Sequence, residues 1–175
     1  MSSGIKGDTK ALQERKRRVG QIASPEFRMR VLNVIGQEAL HRVLQGFEKS
    51  KDPYGVPWKS LQLRNGKPLM DTGRLRNSIN LRVVDAGHFE IATDVKYAKL
   101  HQHGGTITPK HAKALSFRAG KKRIFAKSVT VPARPFLPDG RGMPRGWSAA
   151  FKREAYEFIQ RHAGKNARRK VLGGK

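Results

Sequence analysis

Cysteine is absent from the 175-residue chain, which excludes a disulfide framework and any thiolate metal site. A reducing compartment at synthesis suits such a chain. Acidic side chains are scarce: 13 Asp and Glu stand against 37 Lys and Arg, for a formal charge of +24. No run of about 18 apolar residues occurs, so the sequence holds no pattern for a membrane-spanning helix. Met1-Ser2-Ser3-Gly4-Ile5-Lys6 lacks the apolar stretch of a secretory signal. Aromatic residues make up only 7% and sit mostly at apolar-periodic positions, so no base-stacking platform is evident. Hydrophobic residues reach 37%, enough for one modest core, and the length suits one domain.

What is present in excess is positive charge. Residues 1–24 carry net +4 and residues 164–175 net +5, which leaves +15 on the body between them. A basic body attracts polyanions, either nucleic acid or an acidic protein surface. Solubility alone is the bland reading of high charge, but a merely solvated surface usually mixes both signs.

The patterning divides the chain into a basic arm (1–24), one α+β domain (25–163) and a basic tail (164–175). In the arm, Arg15-Lys16-Arg17-Arg18 is a dense basic run, and a helix over Thr9–Arg18 would need a partner to persist. Ser24-Pro25-Glu26 is a helix start, with a capping Ser, Pro at the first helical position and Glu complementing the dipole. Phe27, Val31, Val34, Ile35, Ala39, Val43 and Phe47 follow at helical spacing, predicting a helix from Pro25 to Glu48. Gly36 and Gly46 weaken it locally or admit a close neighbour. Asp52–Pro57 carries turn chemistry. Asp71 or Thr72 could cap a short helical turn through Ser78. Ile79–Val84 and His88–Ala92 alternate around Asp85-Ala86-Gly87, which predicts a hairpin. Tyr97–His103 reads as a short helix or turn stopped by Gly104-Gly105. Ala114–Phe117 and Arg123–Val131 predict two strands around a basic loop, Arg118–Lys122. Pro132–Pro138 cannot be a central strand, and Gly140–Gly146 reads as flexible. Trp147, Phe151, Ala155, Phe158 and Ile159 predict a last helix to His162, stopped by Gly164. The expected fold is therefore α+β: one antiparallel sheet packed by a long N-terminal and a C-terminal helix, with extended basic termini.

Candidate chemistry is sparse. His101 and His103, with His111 as a third ligand, invite a metal reading. Yet residues two apart diverge on a helix, and the bland alternative is that His101 packs or hydrogen-bonds at a turn. Ser78, Asp71 and His101 contain the residue types of a hydrolase triad without a nucleophile elbow. Glu154 and Glu157 suit ordinary ion pairs with Arg153 or Arg161. No glycine run ends in the Gly-Lys-Ser/Thr of a phosphate loop. Trp58, Tyr97 and Phe136 suit anchoring of loops to the core or to a neighbouring subunit. No cofactor is implied.

Four segments together carry a resemblance. They are Asp52-Pro53-Tyr54-Gly55-Val56-Pro57-Trp58-Lys59-Ser60-Leu61, Leu69-Met70-Asp71-Thr72-Gly73-Arg74-Leu75-Arg76-Asn77-Ser78-Ile79, Tyr97-Ala98-Lys99-Leu100-His101-Gln102-His103-Gly104-Gly105 and Val131-Pro132-Ala133-Arg134-Pro135-Phe136-Leu137. In this order the chain resembles the virion-morphogenesis family of Mu-like tailed phages over about residues 26–162, with both basic ends outside. The resemblance implies a non-enzymatic neck protein of the virion, assembled in the bacterial cytoplasm. It would form a ring, six copies favoured over twelve, that completes the tail and joins it to the head around the DNA channel. Its partners would be the tail tube or tail terminator and the head connector. Asp71, Thr72 and Gly73 would cap and turn the segment entering the first strand. His101 and Gln102 would fix the turn before Gly104-Gly105, and Arg134–Leu137 would anchor the segment before the last helix. The motif set thus comprises Asp52, Pro53, Gly55, Trp58, Asp71, Thr72, Gly73, Leu75, Ser78, Tyr97, His101, Gln102, Gly104, Gly105, Arg134, Pro135 and Phe136. Six copies would bring a formal charge of +144, which acidic neighbours or DNA must neutralise. Arg15, Lys16, Arg17, Arg18, Lys121, Lys122, Arg123, Arg168, Arg169 and Lys170 are the expected contacts with DNA or partners. Composition alone leaves a rival open: a nucleic-acid-binding protein of ribosomal or nucleoid type. A metal-dependent enzyme at His101 and His103 is a third reading.

Overall fold

The computed structural model describes residues 13–14, 16–17, 19–20, 24–62, 65–119 and 122–168. Its central element is a 25-residue helix, α1 (Pro25–Lys49). Ser24 caps it from an extended conformation, its Oγ accepting the Phe27 amide at 3.2 Å, and Pro25 opens the first turn. One stripe of α1 is buried at helical spacing: Gly36, Ala39, Val43 and Phe47. Both glycines of α1 mark close approaches. A Cβ on Gly36 would lie 2.5 Å from Leu81 Cδ1, and one on Gly46 would lie 2.9 Å from the Lys51 carbonyl oxygen.

Two units pack on α1. The first is the antiparallel hairpin of β1 (Asn80–Asp85) and β2 (His88–Ala92). Its pairs Leu81–Ile91 and Val83–Phe89 form the half-buried face, while their strand neighbours Arg82 and Glu90 are exposed. The Asp85 carboxylate accepts the Gly87 amide at 2.7 Å and fixes the turn. The second unit is the C-terminal helix, numbered α4 below (Trp147–Arg168), whose Phe158 lies 5.8 Å from Phe27. Arg30 sits over the same Phe158 ring at 5.6 Å. The helix passes through Gly164 instead of ending near His162. An internal Gly costs only about 1 kcal/mol relative to Ala, and no Pro follows in the sequence to break the helix.

Shorter elements fill the interval. They are α2 (Arg74–Asn77), α3 (Ala98–His103), β3 (Gly105–Ile107), β4 (Leu115–Ala119), β5 (Lys122–Ala126) and β6 (Val129–Val131). Where one sheet was expected, the described residues form three two-stranded antiparallel ones: β1–β2, β3–β6 and β4–β5. The strand predicted over Arg123–Val131 breaks at Lys127-Ser128, and its second half pairs with β3, opposite Gly105–Ile107. The basic loop also shrinks, since Arg118 and Arg123 are cross-strand partners. Pro132, which has no amide hydrogen, prevents the β3–β6 ladder from continuing.

The core is small and aromatic at its centre. Phe47 is fully buried, with Trp58 at 5.4 Å in edge-to-face contact and Phe136 at 5.6 Å. Leu75, Ile79, Val95, Ala98 and Trp147 complete it.

Candidate functional site

The segment after α1 turns tightly around a buried carboxylate. Asp52 Oδ1 accepts the amides of Tyr54 (2.9 Å) and Val56 (2.8 Å), and Gly55 takes the positive φ of 90° that the turn requires. Asp52 Oδ2 accepts from Arg141 Nη2 at 3.0 Å. Arg141 also lies over the Tyr54 ring at 3.9 Å and pairs with Asp139 at 2.9 Å. The Tyr54 hydroxyl donates to the Gly142 carbonyl (2.8 Å) and accepts the Asp139 amide (3.2 Å). Hydrogen bonds from Arg141 hold the Asp139 carboxyl down at about 2. The segment expected to be flexible, Gly140–Gly146, is thus tied at Arg141 and Gly142 to the Asp52 turn.

The Pro-rich segment is held from three sides. Trp58 Nε1 donates to the Pro135 carbonyl at 2.8 Å. The Arg134 side chain is buried in turn by the segment after Trp58. Its Nε donates to the Lys59 carbonyl (2.8 Å) and its Nη2 to the Ser60 carbonyl (3.2 Å), while its amide donates to the His101 carbonyl at 2.7 Å. Gln102 stands in for a missing strand. Its Oε1 accepts the amides of Phe136 (3.0 Å) and Leu137 (3.1 Å), and its Nε2 donates to the Leu137 carbonyl (2.9 Å). A proline-interrupted segment cannot form a full ladder, so one side-chain amide satisfies its free groups. Gly104 ends α3 at φ 73° and ψ 178°, and a Cβ there would lie 2.7 Å from the Ala133 nitrogen.

These segments and the Asp71–Leu75 segment enclose a cleft of about 430 Å³, with Asp71, Thr72, Arg74, Tyr97, His101 and Arg134 among its walls. Gly73, at φ 74°, takes the N-cap position expected for Asp71 or Thr72. Thr72 Oγ1 reaches the Arg74 amide only at 3.4 Å. Thr72 and Asp71 stand one and two residues too early because the chain needs a left-handed turn at the cap itself. Leu75 is buried. Ser78 Oγ donates to the Leu75 carbonyl (2.8 Å) and meets Thr93 Oγ1 at 2.6 Å, while Asp71 and His101 are on the cleft. The three residue types of a triad therefore do not share one wall. His101 packs edge-on against Tyr97 at 5.6 Å, and its buried Nδ1 has no hydrogen-bond partner. Desolvation first, then the nearby Arg134 charge, lower its pKa from 6.5. Tyr97 is 40% exposed at the rim, unlike Trp58 and Phe136, which are buried as expected. Among the described residues no three His, Cys, Asp or Glu are grouped to hold a metal ion. No helix there is long and apolar enough to cross a membrane.

Of the expected contact residues, Lys16, Arg17, Lys122 and Arg123 are exposed, and Arg168 is the last helical residue of α4. Arg15, Arg18, Lys121, Arg169 and Lys170 lie outside the described residues. Tyr54, Asp139 and Arg141 are absent from the sequence-derived set. Asp139 and Arg141 show only a carboxylate and an arginine two apart in a Gly- and Pro-rich stretch, and Tyr54 stands within the Asp52–Leu61 motif segment without being singled out.

Buried carboxylate, guanidinium and amide groups that all bind main chain define a rigid scaffold that holds loops, in a fold with a small core. The chain belongs to the phage virion morphogenesis family, whose model matches residues 8–163. Membership implies a structural phage virion protein. The match takes in the Arg15–Arg18 run, which the four motif segments alone leave outside. The chain is similar to a Haemophilus influenzae protein (strain ATCC 51907 / DSM 11121 / KW20 / Rd), Mu-like prophage FluMu G protein 2, at 36% identity over 95 residues. That stretch covers 54% of each chain, so the likeness spans about half the length of this relative. No solved structure matches the chain.

Proposed function

We propose that this protein completes the tail of a phage virion and joins it to the head. It assembles as a closed ring around the DNA channel, with six copies favoured over twelve. One face docks on the tail tube or tail terminator, the other on the head connector. Its work is structural: it catalyses no step and needs no cofactor. It is made in the bacterial cytoplasm and ends in the tail or neck of the virion.

The observation that carries this reading is where the family's motif residues go. Asp52, Trp58, Gln102 and Arg134 direct their polar groups to backbone amides and carbonyls. A catalytic constellation would leave such groups free for a substrate, whereas a ring subunit needs its loops held in one shape. Heterologous contacts of one rigid subunit close into a ring when the rotation closes. The test is add-back. Tails made without this chain should join filled heads once purified protein is supplied. Failure to bind tails, together with retention of duplex DNA, would move the protein to the nucleic-acid-binding class.

A further inference from the structure

Among the named elements, the main contacts of the β4–β5 hairpin are between its own two strands. It lies within a stretch of one sign, since residues 96–138 hold ten Lys or Arg and no Asp or Glu. Cross-strand partners in an antiparallel pair share a face. Leu115–Ala126 and Phe117–Ile124 form one face, which is half-buried. Ser116–Phe125 and Arg118–Arg123 form the other, and all four side chains are exposed. Phe125 is 67% exposed on that face. Two arginines directly opposite each other repel and destabilise a hairpin. No acid in the stretch offsets them, and Lys110, Lys113 and Lys127 add exposed charge close by. Such a face suits a polyanion. A protein interface depletes Lys and complements signs, and this face holds no acid with which to complement another basic surface. A phosphate backbone asks for unmixed positive charge, and a two-stranded ribbon fits the major groove of a duplex.

We propose that the β4–β5 ribbon is a contact arm for duplex DNA, bound without sequence selection. Arg118 and Arg123 meet phosphates, and Phe125 lies against the apolar edge of the groove. The arm rests on the neck reading only for where that duplex comes from. The experiment titrates a random-sequence duplex with the full chain across a salt series. R118Q/R123Q is compared with R28Q/K152Q, which removes equal charge from exposed helical positions. Two lost phosphate contacts should make the log–log salt slope shallower by about two. Between about 50 and 200 mM salt the intact chain should then lose about tenfold more affinity than the ribbon variant. The helix variant should keep the intact slope. The ribbon variant should melt no lower than the intact chain, because it loses a repulsion. Equal losses in both variants would overturn the arm, leaving only bulk charge. So would an intact chain that ignores duplex, or a ribbon variant that keeps DNA and loses an acidic neck protein. Tail add-back fails or succeeds independently of this titration, so the two readings fall separately.

Discussion

At the scale of single residues, the scaffold turns on side chains that replace backbone. Arg134 spans two carbonyls from neighbouring residues with its planar fork. Lysine keeps the charge but has no fork, so Arg134→Lys should cost about 1–3 kcal/mol, read by denaturant unfolding. Gln102→Glu turns the donor to the Leu137 carbonyl into an acceptor while sparing the volume. The same assay should register about 1–3 kcal/mol for it. His101 gives a pH signature. Its folded-state pKa lies below 6.5, so the unfolded chain binds the proton more readily. Stability from this group is complete above 6.5 and is lost as pH falls below that value and on through the lowered folded-state pKa. The melting temperature should drop on acidification from pH 7.5 toward 5.5, and less so in His101→Phe. Trp58 and Phe136 were legible because large rings in loop segments must anchor something, whereas Gln102 and Arg134 were singled out only through the family resemblance. Tyr54, Asp139 and Arg141 were not: Asp139 and Arg141 pair across two residues, but the contacts that join them to Tyr54 and Asp52 span 85 to 89 residues and only the fold makes them.

At the scale of elements, the two long helices were readable from their apolar period, and Ser24-Pro25 also marked the start of the first, whereas Gly164 did not stop the second. Strand pairing was less so. Short runs around Gly104-Gly105 and Lys127-Ser128 pair across more than twenty residues, and no local pattern encodes that choice. Gly104 is the position on which the loop packing depends. Its φ of 73° with ψ of 178° is a conformation open almost only to glycine, and a methyl there meets the Ala133 backbone. Gly104→Ala should destabilise by about 1–3 kcal/mol, and hydrogen exchange should speed up across α3 and the Pro132–Pro138 segment. Gly140–Gly146 is the opposite lesson, for glycine-rich sequence there suggests freedom while Arg141 and Tyr54 remove it. Asp139→Asn should loosen this loop, seen as faster exchange in 139–146 with the helices unaffected. In the intact chain the same loosening should come on below the ordinary carboxylate range of 3.8, as the carboxyl approaches its lowered value of about 2.

At the scale of the whole molecule, a small core and a large positive charge belong together. Among the described residues only Phe47 and Val43 of the large side chains are nearly wholly removed from solvent, while Met143, Phe125 and Tyr156 are more than 60% exposed. Such a chain gains further burial and charge neutralisation only from partners. Its melting temperature should therefore rise on assembly, and assembly should weaken as salt is raised if acidic partners supply the neutralisation. The measurement that tests the account most directly is the structure of the neck in intact particles, with this chain located and counted. The account predicts one closed ring of six copies at the top of the tail, around the channel and below the head connector. Particles that contain no copy of the chain, with the protein instead free or bound to nucleic acid in the cell, would contradict it.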